Sequence, residues 1–88
     1  MTTPAILSRS FVYRGVRISE FFANKSEGLP KHEHEFSHGT MCIAGSCAIR
    51  KENLELVLTP KDDAVVLAAK EWHEIEALED NTIFVNME

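Results

Sequence analysis

The stretch His32-Glu33-His34-Glu35-Phe36-Ser37-His38-Gly39 holds three of the chain's four histidines, and whether it is helix or strand decides the fold. As a helix, His34-Glu35-Phe36-Ser37-His38 matches H-E-x-x-H, in which both imidazoles share one face and grip zinc with the glutamate beside it. The surroundings refuse a helix. Pro30 lies just upstream, Gly39 follows His38 directly, and Thr40, Cys42 and Ile43 favour strand. As a strand, with side chains alternating between faces, His32, His34 and His38 point one way and Glu33 and Glu35 the other. The fourth histidine, His73, opens a second strand-like run, His73-Glu74-Ile75-Glu76-Ala77-Leu78. Imidazole is a common ligand of divalent transition metals, so the pattern predicts one mononuclear site made by His32, His34, His38 and His73.

Working outward, Gly45 is placed to turn the chain between strands, Leu58-Thr59-Pro60-Lys61-Asp62-Asp63 reads as a proline turn, and Trp72-His73-Glu74-Ile75 reads as a histidine-bearing strand. H-x-H with a third ligand four residues on, the glycine turn, the proline turn and the distant histidine together resemble the two motifs of the cupins, over residues 16–87. The resemblance implies an all-β fold, a small double-stranded β-helix or jelly-roll-like barrel, holding one divalent transition metal: manganese, iron, nickel or zinc. Three positions depart from the cupin pattern. His38 stands where Glu is usual, Asp62 where the turn usually has Gly, and Ala77 where Asn is usual. The first departure changes the chemistry. Four neutral imidazoles leave a divalent ion its full charge, which favours anionic oxygen ligands such as carboxylates, enolates or catecholates.

The rest of the chain reads as short strands punctuated by turn residues, the pattern of a barrel or sandwich. Phe11-Val12-Tyr13 and Val16 to Phe22 flank Gly15, and Met41-Cys42-Ile43 and Cys47-Ala48-Ile49 flank Gly45. Leu54 to Leu58, Ala64 to Leu67 and Thr82 to Val85 complete the set. With 88 residues, no repeat and no linker, residues 1–88 read as one domain, with 1–10 as an extended N-terminal arm. A net charge of −5 and no basic patch argue against nucleic acid and anionic membranes as partners. No stretch is apolar enough to span a bilayer and no signal peptide is evident, so the expected location is cytoplasmic, with Cys42 and Cys47 as free thiols.

If His38 and His73 face inward, parity puts Thr40 and Cys42 with the first and Ile75 with the second, and Phe36 lies between ligands; these four are the expected pocket lining. No catalytic residue can be assigned, since Glu33 and Glu35 should point away and only Tyr13 and Cys42 remain as acid–base candidates. Two function classes stay open. One is a metal-dependent oxygenase, isomerase or lyase acting on a small anionic oxygenated substrate. The other is a non-catalytic module whose metal stabilises the barrel or holds a ligand. Phe21-Phe22, Ile43 and Trp72 supply apolar surface that one small barrel cannot hide, so a symmetric homodimer is expected.

Overall fold

The alternation seen in the sequence carries straight into strands. A computed structural model describes residues 2–88 and contains, among these residues, ten strands and no helix. They are β1 (Thr3–Pro4), β2 (Ile6–Tyr13), β3 (Val16–Ala23), β4 (Glu27–His32), β5 (His38–Ala44), β6 (Cys47–Lys51), β7 (Leu54–Leu58), β8 (Val65–Leu67), β9 (His73–Ala77) and β10 (Thr82–Met87). Two five-stranded sheets form, ordered β1-β4-β9-β6-β7 and β2-β3-β10-β5-β8. All pairings are antiparallel except β1 with β4.

The core lies between the sheets. Cys47, Ile49, Leu58, Ile75 and Ala77 of the first face Ala23, Cys42, Leu67 and Phe84 of the second. β9 alternates strictly, with His73, Ile75 and Ala77 buried and Glu74 and Glu76 half-exposed. β5 does the same with His38, Thr40 and Cys42. Phe21 stacks on Phe84 at 5.2 Å between ring centres, which seals one end of the core.

The two outer faces differ in character. On the first sheet Arg50 binds three carboxylates, Glu76 at 2.6 Å, Glu55 at 2.7 Å and Glu74 at 3.1 Å. Those hydrogen bonds, Glu55 first, raise the Arg50 pKa further, so the guanidinium is permanently charged. Register puts Ile6 and Phe11 of β2 on the outer face of the second sheet, opposite Phe22 and Ile18 of β3. Ile83 and Val85 of β10 and Met41 of β5 continue that face. The stretch read as an N-terminal arm is built into both sheets: β1 joins the first and β2 edges the second. All eight residues of β2 are exposed, including Ile6, Leu7, Phe11, Val12 and Tyr13.

Two turns show how local chemistry positions the strands. Arg14 and Gly15 both take positive φ, 51° and 79°, so β2 and β3 close with the two-residue turn whose twist matches paired strands. Asp62, which replaces the usual turn glycine, builds its turn through its side chain. Its Oδ2 accepts from the Thr59 backbone N at 2.8 Å and Thr59 Oγ1 at 3.1 Å, and the Asp62 N donates to Thr59 O at 3.0 Å.

Candidate metal centre

The histidine stretch is not one strand. β4 ends at His32, residues 33–37 form a loop, and β5 begins at His38 on the other sheet. The expectation of a single continuous strand is corrected by this crossing. His32 and His38 still converge, because each faces the gap between the sheets from its own side. His32 lies directly opposite His73 in the register of β4 and β9, which is why residues so distant in sequence meet. His34 projects from the loop, and the loop is pinned where it matters: the Lys70 backbone N donates to His34 O at 2.6 Å.

Ring nitrogens of His32, His34 and His73 all lie within 4.8 Å of one another. His38 stands at the edge of this group, its Nε2 3.3 Å from that of His73, while the Nε2 atoms of His32 and His34 are 3.0 Å apart. The far side of two rings fixes their tautomers. His32 Nδ1 is 2.6 Å from Pro30 O, and His73 Nδ1 is 3.1 Å from Glu71 O. A carbonyl oxygen only accepts, so both Nδ1 atoms carry hydrogen and both neutral Nε2 atoms present lone pairs. In each close pair one Nε2 is therefore bare, and its neighbour must share either a proton or a cation with it. Orientation of ligating imidazoles by carbonyls behind them is the arrangement a metal site needs. The residues present thus fit a transition metal bound through nitrogen.

Burial favours the neutral form of three of the rings, those of His34, His38 and His73. Burial, reinforced by neighbouring His32, pushes the His73 pKa down to about 4. Burial also lowers His34 and His38, while Glu88 acts in the opposite sense on both. Neutral imidazole is the metal-binding form.

Beside the histidines opens a cavity of about 470 Å³, within the range of small-ligand sites. Its wall is made by His32, His34, His38, Ser19, Phe21, Leu29, Pro30, Lys31, Asn86 and Glu88. The residues expected to line it lie elsewhere. Phe36 stacks on the outside of His34 at 5.3 Å and is half-exposed. Cys42 and Ile75 are core residues, and Thr40 is fully buried behind His38. The two acid–base candidates are also remote from the wall. Tyr13 is exposed at the tip of the β2–β3 hairpin, bonded to Arg14, and burial raises the Cys42 pKa. Cys42 and Cys47 are free thiols in the core, and burial pushes Cys47 up to about 12. Glu33 and Glu35 face solvent as expected. Sequence reasoning missed Ser19, Asn86 and Glu88. The alternation of β10 marks Thr82, Phe84 and Asn86 as one face, but nothing local brings that face beside His38.

No protein-family model matches the sequence, and no curated protein matches it. Solved structures do match. KdgF from Halomonas sp. is 17% identical with a TM-score of 0.79, over 90% of this chain and 73% of that one. A cupin superfamily protein from Desulfitobacterium hafniense DCB-2 is 17% identical with a TM-score of 0.74, over 94% and 79%. A protein with a double-stranded β-helix domain from Klebsiella pneumoniae is 16% identical with a TM-score of 0.75, over 96% and 70%. At such identities the likeness is one of fold, and this chain has the fold of a small, single-domain cupin.

Proposed function

We propose that this chain is a metal-binding cupin whose ion is held by His32, His34 and His73, with His38 as fourth ligand, and which takes a small anionic oxygenated compound in the adjoining cavity. The observation that carries this reading is the convergence of imidazole nitrogens whose backs are held by Pro30 O and Glu71 O. A bound divalent ion would act as a Lewis acid toward a ligand oxygen. The remaining work falls to the chain. Phe21, Leu29 and Pro30 give the cavity apolar lining from both sheets, and Glu88 is the acidic residue on its wall. Isomerase or lyase chemistry needs a group that moves a proton, and the reading assigns that part to Glu88, the acidic residue on the cavity wall; oxygenase chemistry does not require it. A cavity directly beside the rings favours ligand chemistry over a purely structural ion.

The test is metal content after complete chelation and reloading with manganese, iron, nickel or zinc. Wild type should take up one equivalent of at least one of these ions, and His73→Ala should lose most of it. A wild type that stays metal-free at micromolar ion would refute the reading.

We also propose that a second copy of the chain docks at the β2 edge of the second sheet, beside its apolar outer face. The surface responsible is not quite the one expected. Phe21 turns inward, and Trp72 is half-buried with Lys31 Nζ 4.3 Å over its ring. Ile43 is exposed, and β2 adds Ile6, Phe11 and Tyr13. Among the described residues β2 pairs only with β3, which leaves its other edge to an identical strand, and a two-fold axis there is self-complementary.

A further inference from the structure

Thr40 has no exposure at all, yet its hydroxyl makes a short bond, 2.7 Å, to Asn86 Oδ1. Its second polar neighbour is His38 Nδ1 at 3.4 Å, a long contact that His38 Nδ1 shares with Gly39 O at the same distance. These groups form a directional chain. When His38 Nε2 engages a cation, Nδ1 keeps its hydrogen and Thr40 Oγ1 can only accept from it. The Thr40 hydrogen then goes to Asn86 Oδ1. The amide is thereby oriented with Nδ2 and its two hydrogens left for the cavity, which Asn86 lines.

A second neutral donor stands beside it. Ser19 is the register partner of Asn86 on β3, lines the same cavity, and has its Oγ 3.3 Å from Ser10 Oγ. If Ser10 donates, the Ser19 hydroxyl hydrogen is free for a ligand. Apolar lining comes from Leu29 and Pro30 on β4 of the other sheet and from Phe21, which lies beside Ser19 on the same face of β3. Lys31 also lines the cavity, but its ammonium lies 4.3 Å over the Trp72 ring, and Glu88 places negative charge on the wall. A phosphate or other dianion therefore finds one cation, already drawn over an aromatic ring, and one carboxylate against it. A monocarboxylate with a short hydrocarbon tail meets both neutral donors and apolar surface in the same cavity.

We infer that Asn86, held by Thr40, is the ligand-orienting residue of this cavity, and that the compound it receives is a small apolar carboxylic or 2-oxo acid. This rests on the metal site proposed above. It deepens that reading because the polarity of the Thr40–Asn86 pair is set by the state of His38, so ion and ligand recognition are linked through the chain's own groups.

The experiment uses cobalt(II)-loaded protein, with 4-methyl-2-oxopentanoate, isovalerate and inorganic phosphate as probes, read by calorimetry and by the visible cobalt bands. Cobalt content is measured first, before any acid is added. Wild type should bind the oxo acid and isovalerate in preference to phosphate. Asn86→Ala should bind cobalt as wild type does and the acids about tenfold or more weakly, as for loss of one hydrogen bond to a charged group. Asn86→Asp, which still accepts from Thr40 but offers the cavity no donor, should lose more, and Thr40→Val should fall between wild type and Asn86→Ala. Should Asn86→Ala fail to fold, Ser19→Ala carries the test, with an expected loss of about threefold or more. Unchanged acid affinity in a folded, cobalt-loaded Asn86→Ala overturns the inference. So does phosphate binding more tightly than the oxo acid, or a cobalt-loaded wild type that binds neither acid. A wild type that takes up neither cobalt nor any of manganese, iron, nickel and zinc refutes the metal reading itself, and the inference falls with it; one that takes up another of these ions but no cobalt is tested in the same way by calorimetry with that ion.

Discussion

Acidifying the metal-free protein should destabilise it through its histidines, and the size of the effect can be worked out. His73 has no exposure, and burial pushes its pKa down to about 4, against 6.5 for the free side chain. Between those values the unfolded chain binds a proton at this position that the folded chain refuses. Stability therefore rises with pH across the window; it is fully present above pH 6.5 and is lost progressively as pH falls toward 4. One such proton is worth about 1.4 kcal/mol per pH unit, so going from pH 6.5 to pH 5 costs about 2 kcal/mol from His73 alone. His34 and His38 are shifted in the same direction and add to it. For a domain of this size the His73 share alone lowers Tm by roughly 8–16 °C. Stopping at pH 5 keeps the measurement above the range where ordinary carboxylates titrate. The assay is a set of thermal melts of fully chelated protein at half-unit steps from pH 7.5 to 5. His73→Gln, which cannot titrate, should show a shallower slope by about one proton. A metal-free Tm that stays flat over this range, or a His73→Gln slope equal to wild type, would refute the argument that the ring is buried neutral. Saturating metal at about one hundred times its Kd should return about 2.7 kcal/mol near neutral pH and less on acidification, because protons compete for the same nitrogens.

Three further outcomes follow from the geometry. His38→Glu should retain metal, since carboxylate oxygen also ligates, while lowering the ion's effective charge and weakening a bound carboxylate by about tenfold or more in calorimetry; His38→Ala should weaken metal uptake less than His73→Ala, because His38 sits at the edge of the group. Gly28→Ala should cost about 3 kcal/mol in a urea melt, because an added methyl would overlap the Ile75 carbonyl of the paired strand β9 and neither backbone can yield; a midpoint equal to wild type would show that β4 and β9 are not packed this closely. Sedimentation of wild type at micromolar concentration should give twice the 9.9 kDa chain mass, with Phe11→Glu on β2 shifting it to monomer; a wild type already monomeric there would count against the paired β2 edges.

Much of this molecule could be read from its order of residues, because alternation is a local property. Period two in His38-Gly39-Thr40-Met41-Cys42 and in His73-Glu74-Ile75-Glu76-Ala77 fixes which side chains turn inward, and the structure buries those residues. The histidine spacing, the Gly45 turn and the Pro60 turn likewise pointed to the observed fold. Parity, however, reports only which side of a strand a residue occupies. It says nothing of depth along the strand, so Thr40, Cys42 and Ile75 share a face with the histidines but sit in the core instead of on the cavity wall. Nor does it say which sheet a strand joins: the loop at 33–37 carries the chain from one sheet to the other, and only that crossing sets His38 opposite His32 and His73. The cavity wall depended on tertiary structure most of all. Ser19, Asn86 and Glu88 reach it through the pairing of β10 with β3 and β5, a register set by packing between distant segments that no short stretch of sequence contains.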